Sequence, residues 1–453
     1  MKLVDIKSAI SQTLGIGQLN DMQTAVSVSD ARRLLLLSPT GSGKTLAFVI
    51  AVLRRISQAE TTHRGLHTVI IAPSRELVRQ IFDVVRPVAS AFSIKCLAVY
   101  GGNSFSSEES SVQGGMPKII VATPGRLLDH ITRGTLDVGA VHSLVLDEYD
   151  KTLELGFHDE MRRIAAKIGM DNSTGSPFFV MVTSATRLKD VPGFVDIASA
   201  ETIDFTQTSD VSSRLRVVNV PSPDRDKLST LAALIRAVAR RGPCIVFVNH
   251  RESADRVARY LDKEKISTVV YHGGLDQPTR ETALARFHSQ AATVLVATDL
   301  AGRGIDVEGV QSVIHYHPAG DVEIWTHRNG RTARVDNTGD VYVITGPEED
   351  VPEFIDFDND FYPDMTNGEP VKAPMTLIYL DRGKRDKISR GDIAGFAMKK
   401  GGVPADAVGK ITVSNSYSLL AVKPEYAAVV IDAARTDKIK NVKVRASVVK
   451  NRF

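Results

Sequence analysis

The sequence predicts an α/β protein with two consecutive doubly wound parallel-sheet domains and a smaller α+β domain at its C-terminal end. Three observations support this prediction. The chain has 453 residues, enough for about three domains. Two long stretches carry short apolar runs separated by amphipathic segments, which is typical of βαβ units. The last stretch differs from both in pattern and charge. With 43% hydrophobic and 24% charged residues, the composition excludes a disordered chain or a coiled coil.

The first α/β domain is predicted over residues 1–205. Its apolar runs are rich in Val, Ile and Leu and are bounded by Pro, Gly, Ser or Thr, as expected for buried parallel strands. The polar stretch Thr206–Ser213 has no period and predicts a linker. The predicted strands are Leu34–Leu37, Val69–Ala72, Ile119–Ala122, Leu144–Leu146 and Phe178–Val182.

The same alternation of short apolar runs and amphipathic segments recurs over residues 214–345 and predicts a second doubly wound domain. Residues 346–374 follow with nine acidic residues, one basic residue and several prolines. This composition predicts an acidic, flexible linker. The strands predicted for the second domain are Cys244–Val248, Thr293–Ala297, Ser312–Tyr316 and Asp340–Ile344.

The C-terminal segment, residues 375–453, carries 16 Lys and Arg against 7 Asp and Glu, a net charge of +9. Ser389 and Asp392 form a capping-box pattern that begins one helix, and Pro424 begins another. The pattern gives the order βαββαβ, a ferredoxin-like arrangement found in many RNA-binding modules. A basic module of this kind indicates a polyanion as partner, most simply nucleic acid. The predicted strands are Thr376–Leu380, Lys410–Val413, Leu419–Val422 and Val442–Val449.

Several other classes of protein are excluded. No run of 18 apolar residues predicts a transmembrane helix, and the N-terminus lacks the apolar core of a signal peptide. The two cysteines, Cys96 and Cys244, cannot build a disulfide framework or a cysteine-based zinc site. We therefore expect a cytoplasmic protein.

A phosphate-binding loop is predicted at Ser38–Thr45, with the sequence SPTGSGKT between a strand and a helix. Glycines allow backbone N–H groups to close around phosphate oxygens, and the helix N-terminus adds a partial positive charge. Lys44 is expected to reach the β- and γ-phosphates and the Thr45 hydroxyl to bind Mg²⁺. An ordinary glycine-rich turn is the alternative, and the strand–helix context argues against it.

A magnesium nucleotide also requires acidic residues near the phosphates, and Asp147 and Glu148 follow the apolar strand Leu144–Leu146. Asp147 is predicted to orient Mg²⁺ or its water ligands. Glu148 is predicted to position and deprotonate the attacking water. Taken alone, such a pair also fits a helix cap.

Taken in order, these residues resemble the motifs of the DEAD-box RNA helicases of superfamily 2, over nearly all of residues 1–345. Asp147–Asp150 is similar to motif II, with Tyr149 in place of the usual Ala. Gln23 resembles the glutamine of the Q motif, and Ile6 stands where the family usually has an aromatic residue. The other matches in the first domain are Ser38–Thr45 (motif I), Pro73–Leu77 (Ia), Gly101–Gly102, Thr123–Arg126 (Ib) and Ser184–Thr186 (III). Those in the second are Val246–Asn249 (IV), Gln277 with Arg280, Asp299–Asp306 (V) and His327–Arg334 (VI), where Asn329 and Ala333 replace Ile and Gly.

The resemblance implies RecA-like domains, RNA-stimulated hydrolysis of ATP with Mg²⁺, and arginine fingers from the second domain. The implied catalytic residues are Lys44, Asp147, Glu148, Arg331 and Arg334. Those implied to bind ATP are Gln23, Ser38, Thr40, Gly41, Ser42, Gly43, Lys44, Thr45 and Asp306, with Thr45 and Asp147 at Mg²⁺, partly through water. Those implied to bind RNA are Arg75, Gly102, Thr123, Arg126, Asn249, Arg280, Thr298 and Arg303. Coupling between the sites is implied for Asp150, Ser184, Thr186 and His327.

The C-terminal segment resembles the RNA-recognition domain of the bacterial DbpA-type subgroup through Ile378–Leu380 and Arg390–Gly395. That subgroup binds a hairpin of large-subunit ribosomal RNA and acts in ribosome assembly. Arg382, Lys384 and Arg385 are predicted RNA contacts, and a solvated loop is the alternative. We therefore expect a monomer that remodels ribosomal RNA within a pre-ribosomal particle. A non-catalytic RNA clamp and a superfamily 2 DNA translocase remain alternatives. The intact Lys44, Glu148 and Arg334 disfavour the clamp, whereas Gln23 and the C-terminal module favour RNA over DNA.

Overall fold

The computed structural model describes residues 2–39, 41–58, 65–102, 104–139, 141–169, 178–185, 195, 199–206, 215–299, 310–332 and 339–450. The chain divides into two compact units with a boundary near residue 213. The N-terminal unit contains the first predicted α/β domain. The C-terminal unit contains the second α/β domain together with the C-terminal domain. Among the described residues, no helix is both long enough and apolar enough to cross a membrane.

The first unit is built on a parallel sheet whose described strands number seven, in the order β3-β4-β2-β5-β6-β1-β7. Apolar residues fill both faces of this sheet under the helices. The strands are β1 (Arg33–Leu37), β2 (Thr68–Ile71), β3 (Cys96–Val99), β4 (Ile119–Ala122), β5 (Ser143–Leu146), β6 (Phe179–Ser184) and β7 (Glu201–Asp204). The helices are α1 (Leu3–Leu14), α2 (Asp21–Val28), α3 (Lys44–Gln58), α4 (Arg75–Ser90), α5 (Phe105–Gln113), α6 (Pro124–Thr132), α7 (Tyr149–Glu154) and α8 (His158–Ile168).

Helix α1 places Ile6, which stands where the family usually has an aromatic residue, inside the domain. Its side chain is fully buried in the core, as is that of Ile10. The reason is the amphipathic pattern of α1, which turns Ile6, Ala9 and Ile10 toward the domain interior. A substitution at Ile6 therefore probes core packing rather than base stacking.

The second α/β domain contains a parallel sheet in the order β10-β11-β9-β12-β13-β8-β14. Its strands are β8 (Leu215–Pro221), β9 (Cys244–Val248), β10 (Thr268–Tyr271), β11 (Val294–Thr298), β12 (Ser312–His315), β13 (Gly339–Thr345) and β14 (Asn359–Asp360). Its helices are α9 (Leu228–Val238), α10 (Arg251–Lys263), α11 (Gln277–His288) and α12 (Val322–Asn329).

The acidic segment 346–374, predicted as a flexible linker, packs along the second domain instead. β14 pairs with β8 at one edge of the sheet, and Val371 bridges Ile266 beside β10 at the opposite edge. Its acids meet cations of the domain: Glu349 pairs with Lys227 at 2.7 Å and Glu369 with Arg240 at 3.0 Å. The negative charge that suggested a linker thus serves to attach the segment. We call residues 346–374 the strap.

The C-terminal domain follows the predicted βαββαβ order, with an antiparallel sheet in the order β16-β17-β15-β20. The predicted capping box is present, because the Ser389 hydroxyl accepts the N–H of Asp392 while Asp392 accepts the N–H of Ser389. Its strands are β15 (Thr376–Leu380), β16 (Val408–Val413), β17 (Ser418–Val422), β18 (Lys438–Ile439), β19 (Val442–Lys443) and β20 (Ala446–Val448), and its helices are α13 (Arg390–Lys399) and α14 (Ala427–Thr436). The predicted last strand, Val442–Val449, is interrupted: β18 and β19 pair with each other as a separate hairpin, and only β20 joins the sheet.

One face of the C-terminal sheet packs under α13 and α14, and the other contacts the second α/β domain. Ile378 and Leu380 of β15 lie in the interior core. Leu377, on the opposite face, and Ala421 of β17 pack with Ala291, which follows α11. The N–H of Met375 also donates to the Gln290 carbonyl at 3.2 Å. The C-terminal domain is therefore held directly on the second α/β domain, at the end of the strap.

Candidate active site

The phosphate loop follows β1 and ends at the N-terminus of α3, as predicted. Its Lys44 is buried, and the ammonium donates to the carbonyls of Ser38 and Pro39 at 2.6 and 2.8 Å. The Ser38 hydroxyl donates to the Ser42 hydroxyl at 2.7 Å. Gly41 and Gly43 have positive φ angles of 81° and 90°. The loop is thus already curled around the lysine.

Helix α2 braces this loop through a pair of amides. The Gln23 side chain donates to the Gly43 carbonyl at 3.2 Å, and Asn20 donates to the Ser42 carbonyl at 3.0 Å. Gln23 and Asn20 also form a reciprocal capping box at the start of α2. The φ of 90° at Gly43 favours glycine, and an added Cβ would lie 2.5 Å from Nε2 of Gln23 and displace the amide that crosses the loop. Asn20 was not predicted, although its capping position before Gln23 was a usable signal.

The acidic pair follows β5, two strands away from β1 in the sheet. Asp147 is buried, and burial raises its pKa, while the Thr183 hydroxyl and Lys44 act in the opposite direction. The Thr183 hydroxyl donates to Asp147 Oδ1 at 2.5 Å, and it accepts the Glu148 N–H at 3.3 Å. Thr183 lies inside β6 and was not predicted as a site residue, although the adjacent Ser184 was. It joins both acids to β6.

Glu148 precedes α7 in a left-handed backbone conformation, with φ 47° and ψ 54°. This conformation is uncommon for residues other than glycine, and such strain often occurs at functional sites. Its buried carboxylate and that of Asp150, which is also buried, lie at the same end of α7. Ser184 ends β6, and its carbonyl accepts the N–H of Ser38 at 3.1 Å. The phosphate loop and the predicted coupling segment are therefore joined through the backbone.

Tyr149 replaces a small family residue, and its ring is fully buried in the core under α7. Within the described part of the chain, its hydroxyl has no hydrogen-bond partner, and burial raises its pKa. The tyrosine therefore fills volume in the core at the start of α7.

Thr183 provides the first test. Thr183→Val removes the hydroxyl that fixes Asp147 and receives the Glu148 N–H, and we expect turnover to fall about tenfold, the scale of one lost hydrogen bond to a charged group. Thr183→Ser keeps the hydroxyl and should retain most activity. The measurement is the steady-state ATPase rate at saturating RNA. Equal rates for the valine variant and the wild type would contradict this role.

The residues of the first domain predicted to contact RNA follow β2, β3 and β4. These three strands are neighbours in the sheet, on the side of β5 opposite to β1, so the predicted RNA contacts lie at the same carboxyl edge as the phosphate loop and the acidic pair. Arg75 begins α4, and an added Cβ at Gly101 would lie 2.9 Å from its Nη2, so the glycine lets the arginine cross the turn. Gly102 has φ 101°, and Thr123 is the residue before α6, where its side chain makes no capping hydrogen bond. Arg126 contacts Glu108, with Nε 2.8 Å from Oε2.

In the second α/β domain, the predicted RNA contacts Asn249, Arg280 and Thr298 follow or end three adjacent strands, β9, β10 and β11. Thr298 is buried at the end of β11, and Arg280 donates to the Gln277 amide oxygen at 2.5 Å in the first turn of α11. The predicted RNA contacts of the second α/β domain thus lie along the carboxyl edge of its sheet.

A buried guanidinium organises the end of α12. Arg328 donates to both oxygens of Asp299, at 2.5 and 2.8 Å, and to the Asn249 side chain at 2.8 Å. It also donates to Nδ1 of His315 at 3.2 Å, so that Nε2 of His315 carries the proton donated to Asn329. Burial and then Arg328 lower the pKa of His315 to about 3, and the imidazole is neutral. Asn329, which replaces the usual Ile, thereby has a polar partner for its side-chain oxygen.

The remaining predicted residues fall into three groups: those near α12, those in the C-terminal domain, and those outside the described residues. His327 is buried, with Nδ1 donating to the Glu323 carbonyl at 2.9 Å, and Arg331 is buried just after α12. In the C-terminal domain, Arg382 pairs with Asp381 and Asp386, whereas Lys384 and Arg385 are exposed on a short turn. Thr40, Thr186, Arg303, Asp306 and Arg334 lie outside the described residues.

The donor set at Asp147 and Thr45 fits a hard divalent cation. Oxygen atoms, such as those of carboxylates and hydroxyls, are the ligands that Mg²⁺ prefers. The Asp147 carboxylate is buried and is held by the hydrogen bond from Thr183. The neighbouring Lys44 would face the phosphates that accompany such an ion.

Comparison with known proteins is consistent with this geometry. A family model described as DEAD/DEAH box helicase matches residues 20–191, one described as helicase conserved C-terminal domain matches 226–336, and one described as DbpA RNA binding domain matches 377–448. The ATP-dependent RNA helicase DbpA of Escherichia coli is 30% identical over 429 residues, which cover 91% of this chain and 90% of that protein.

Other relatives match the helicase part. The pre-mRNA-splicing ATP-dependent RNA helicase prp28 of Schizosaccharomyces pombe is 31% identical over 70% of this chain and 51% of its own length. The solved structure of S. cerevisiae Dbp5 bound to RNA and ADP BeF3 aligns with a TM-score of 0.65 at 22% identity, covering 76% of this chain and 88% of that one. At that identity the likeness establishes the fold.

Proposed function

The chain belongs to the DEAD-box family of ATP-dependent RNA helicases, and from that premise we propose that it remodels ribosomal RNA, with its C-terminal domain selecting the target. It is an enzyme that binds and hydrolyses ATP and binds RNA. The proposal concerns which residues carry out these steps and which RNA is the substrate.

The ATP site of the first domain is proposed to use the pre-curled loop Ser38–Thr45. Phosphate oxygens would replace the carbonyls of Ser38 and Pro39 as partners of Lys44, at little cost in reorganisation because the loop is already shaped. Glu148 would orient and deprotonate the attacking water. Mg²⁺, held by Thr45 and Asp147, would neutralise charge on the phosphates when bound.

RNA is proposed to contact the other half of the same sheet edge, through Arg75, Gly102, Thr123 and Arg126. Backbone amides, hydroxyls and guanidiniums are the donors that phosphate oxygens accept, and they would bind without reading sequence. Asn249, Arg280, Thr298 and Arg303 are the proposed contacts of the second domain.

Arg331 and Arg334 are proposed to stabilise the transferring phosphate, as arginine fingers do. Coupling between RNA and ATP would pass through Asp150, Ser184, Thr186 and His327. The backbone bond from Ser38 to Ser184 supports this role for the end of β6.

The match of residues 377–448 to the DbpA RNA-binding domain is the observation that carries the choice of ribosomal RNA. The resemblance to that subgroup implies a hairpin of large-subunit ribosomal RNA as target. We further propose a cytoplasmic monomer that acts on a pre-ribosomal particle during ribosome assembly.

The deciding experiment measures ATPase activity without RNA and with total ribosomal RNA, its fragments, or poly-A. We expect strong stimulation by ribosomal RNA, concentrated in one fragment, and weaker stimulation by poly-A at equal nucleotide concentration. Equal stimulation by all RNAs would overturn the ribosomal target. Stimulation by duplex DNA alone would favour the DNA translocase, and ATP-independent RNA binding without hydrolysis would favour the clamp.

A further inference from the structure

A buried carboxylate outside the helicase motifs lies beside the residues proposed to bind RNA in the first domain. Glu108, in the first turn of α5, is only 4% exposed. Its Oε1 accepts the N–H of Tyr100 at 3.3 Å, and its Oε2 accepts Nε of Arg126 at 2.8 Å and Nε2 of His130 at 3.0 Å. Three segments of the chain therefore meet at one side chain.

The hydrogen bonds keep this carboxylate charged. Burial alone would raise the pKa of Glu108, but the bonds from His130, Arg126 and Tyr100 outweigh burial and hold the pKa below its ordinary value. A carboxylate only accepts hydrogen bonds, so Nε2 of His130 carries a proton. A buried charge is tolerated when it is hydrogen-bonded in this way.

Aromatic packing makes the cluster rigid. The Phe105 ring stacks on the buried His130 ring, with centroids 4.3 Å apart and planes at 14°. Nδ1 of His130 lies 2.7 Å from the Thr135 hydroxyl, so both ring nitrogens have partners. The guanidinium of Arg126 also lies over the Phe105 ring, 4.9 Å from its centroid.

Glu108 joins two of the loops proposed to contact RNA. Tyr100 directly precedes the turn Gly101–Gly102, which Arg75 crosses, and Arg126 belongs to the loop and helix that follow β4. We propose that Glu108 is a positioning residue, which fixes the glycine turn and the Arg126 guanidinium in the arrangement that binds the RNA backbone. The inference rests on the proposed function of these loops, and it adds a residue that touches no RNA itself.

The physical reason is preorganisation. An arginine side chain has many rotamers, and ordering it at the moment of binding reduces affinity. With its Nε bonded to Glu108, Arg126 retains 15% side-chain exposure in one orientation. Without the carboxylate, Arg126 and the Tyr100 amide lose their common acceptor, and the two loops are no longer tied together.

The test compares Glu108→Ala and Glu108→Gln in the full-length chain. We expect Glu108→Ala to raise the RNA concentration for half-maximal ATPase about tenfold or more, on the scale of a charge-assisted hydrogen bond, with kcat at saturating RNA and the KM for ATP unchanged. Glu108→Gln keeps one acceptor oxygen, so the RNA concentration for half-maximal ATPase should rise only about threefold, which is less than the effect of losing one full hydrogen bond. Thermal unfolding is measured for both. If Glu108→Ala folds poorly, the glutamine shift decides.

Two further variants make the result specific. Arg133→Ala removes a guanidinium that lies 4.4 Å from the Phe105 centroid but does not bond Glu108, and its half-saturation should equal that of the wild type. Adding Glu108→Ala to Arg126→Ala should cost less than the sum of the separate effects, because the two act through one contact. Unchanged half-saturation in both Glu108 variants would overturn the inference, as would a loss confined to kcat or to ATP binding. A wild type that RNA does not stimulate would instead overturn the proposed function itself, and this inference with it.

Discussion

Glu148→Gln is expected to lower the RNA-stimulated ATPase rate about a hundredfold or more while ATP and RNA still bind. The amide keeps the shape of the side chain but cannot take a proton, and a positioned base contributes on this scale. The geometry limits side effects, because the residue is held by its backbone, through the bond from its N–H to Thr183 and the left-handed turn before α7. The measurements are steady-state hydrolysis and equilibrium binding of a fluorescent ATP analogue.

Glu154→Gln is a suitable control, since Glu154 lies at the other end of the same helix and pairs with Lys151 at 2.9 Å. It changes the net charge by the same amount, and we expect near wild-type turnover. A Glu148→Gln preparation that hydrolyses ATP at the wild-type rate would show that another group activates the water.

The two α/β folds were predictable because their central strands are buried on both faces. The runs Ile119–Ala122 and Cys244–Val248 are observed at the predicted bounds, and both lie inside their sheets. The edge strands β3, β7, β10 and β14 escaped prediction, and so did β8 beside β14. β7 is largely exposed and β14 is a two-residue strand within an acidic segment, so neither carries a continuous apolar run. β3 and β10 were missed although each is a short apolar run.

The site residues were predictable where the chemistry requires one residue type, as with Lys44 and the acids after β5. Residues that hold those side chains in place through hydrogen bonds were not predictable. Thr183 is an ordinary strand residue until β5 and β6 lie side by side, and Glu108 and Arg126 are brought together only by the fold. Sequence spacing carries no signal for such contacts, because the partners are separated by whole secondary-structure elements.

The strap changes how the C-terminal domain is expected to work. A flexible linker would raise the local concentration of RNA near the core without fixing its direction. Here the strap pairs with both edges of the second sheet, and Leu377 and Ala421 pack on Ala291. RNA bound by the C-terminal domain would therefore have a fixed orientation relative to the second α/β domain.

The same contact limits where the C-terminal domain can bind RNA. The sheet face that carries Leu377 and Ala421 is partly covered, and its exposed aromatic is Tyr379, which stacks on Tyr417 at 5.6 Å. We call Lys384, Arg385 and Arg390 the basic turn: the first two lie on the turn before α13, Arg390 is the first residue of that helix, and all three are exposed. Among the described residues these three side chains make no ion pair, in contrast to Arg382. They are the stronger candidates for phosphate contacts.

Reversing these three charges, as Lys384→Glu, Arg385→Glu and Arg390→Glu in one chain, is expected to weaken binding to the preferred ribosomal fragment roughly a hundredfold. Each contact to a phosphate is a charge-assisted hydrogen bond, and reversal adds repulsion. The slope of log affinity against log salt should become shallower by about 2 to 3, since three fewer phosphates release counterions. Fluorescence anisotropy across a salt series measures both quantities.

A second triple variant, with Lys399→Glu, Lys410→Glu and Lys438→Glu, separates this local effect from net charge. These exposed lysines lie in the same domain but outside the basic turn, and the change in net charge is identical. We expect a small uniform loss of affinity for all RNAs, with the preference for the ribosomal fragment over random duplex retained. The variant in the basic turn should lose that preference while its ATPase at saturating poly-A stays near the wild-type rate. Equal loss in both variants would mean that the domain attracts RNA only through its overall charge, and the basic turn would then have no special role in choosing the target.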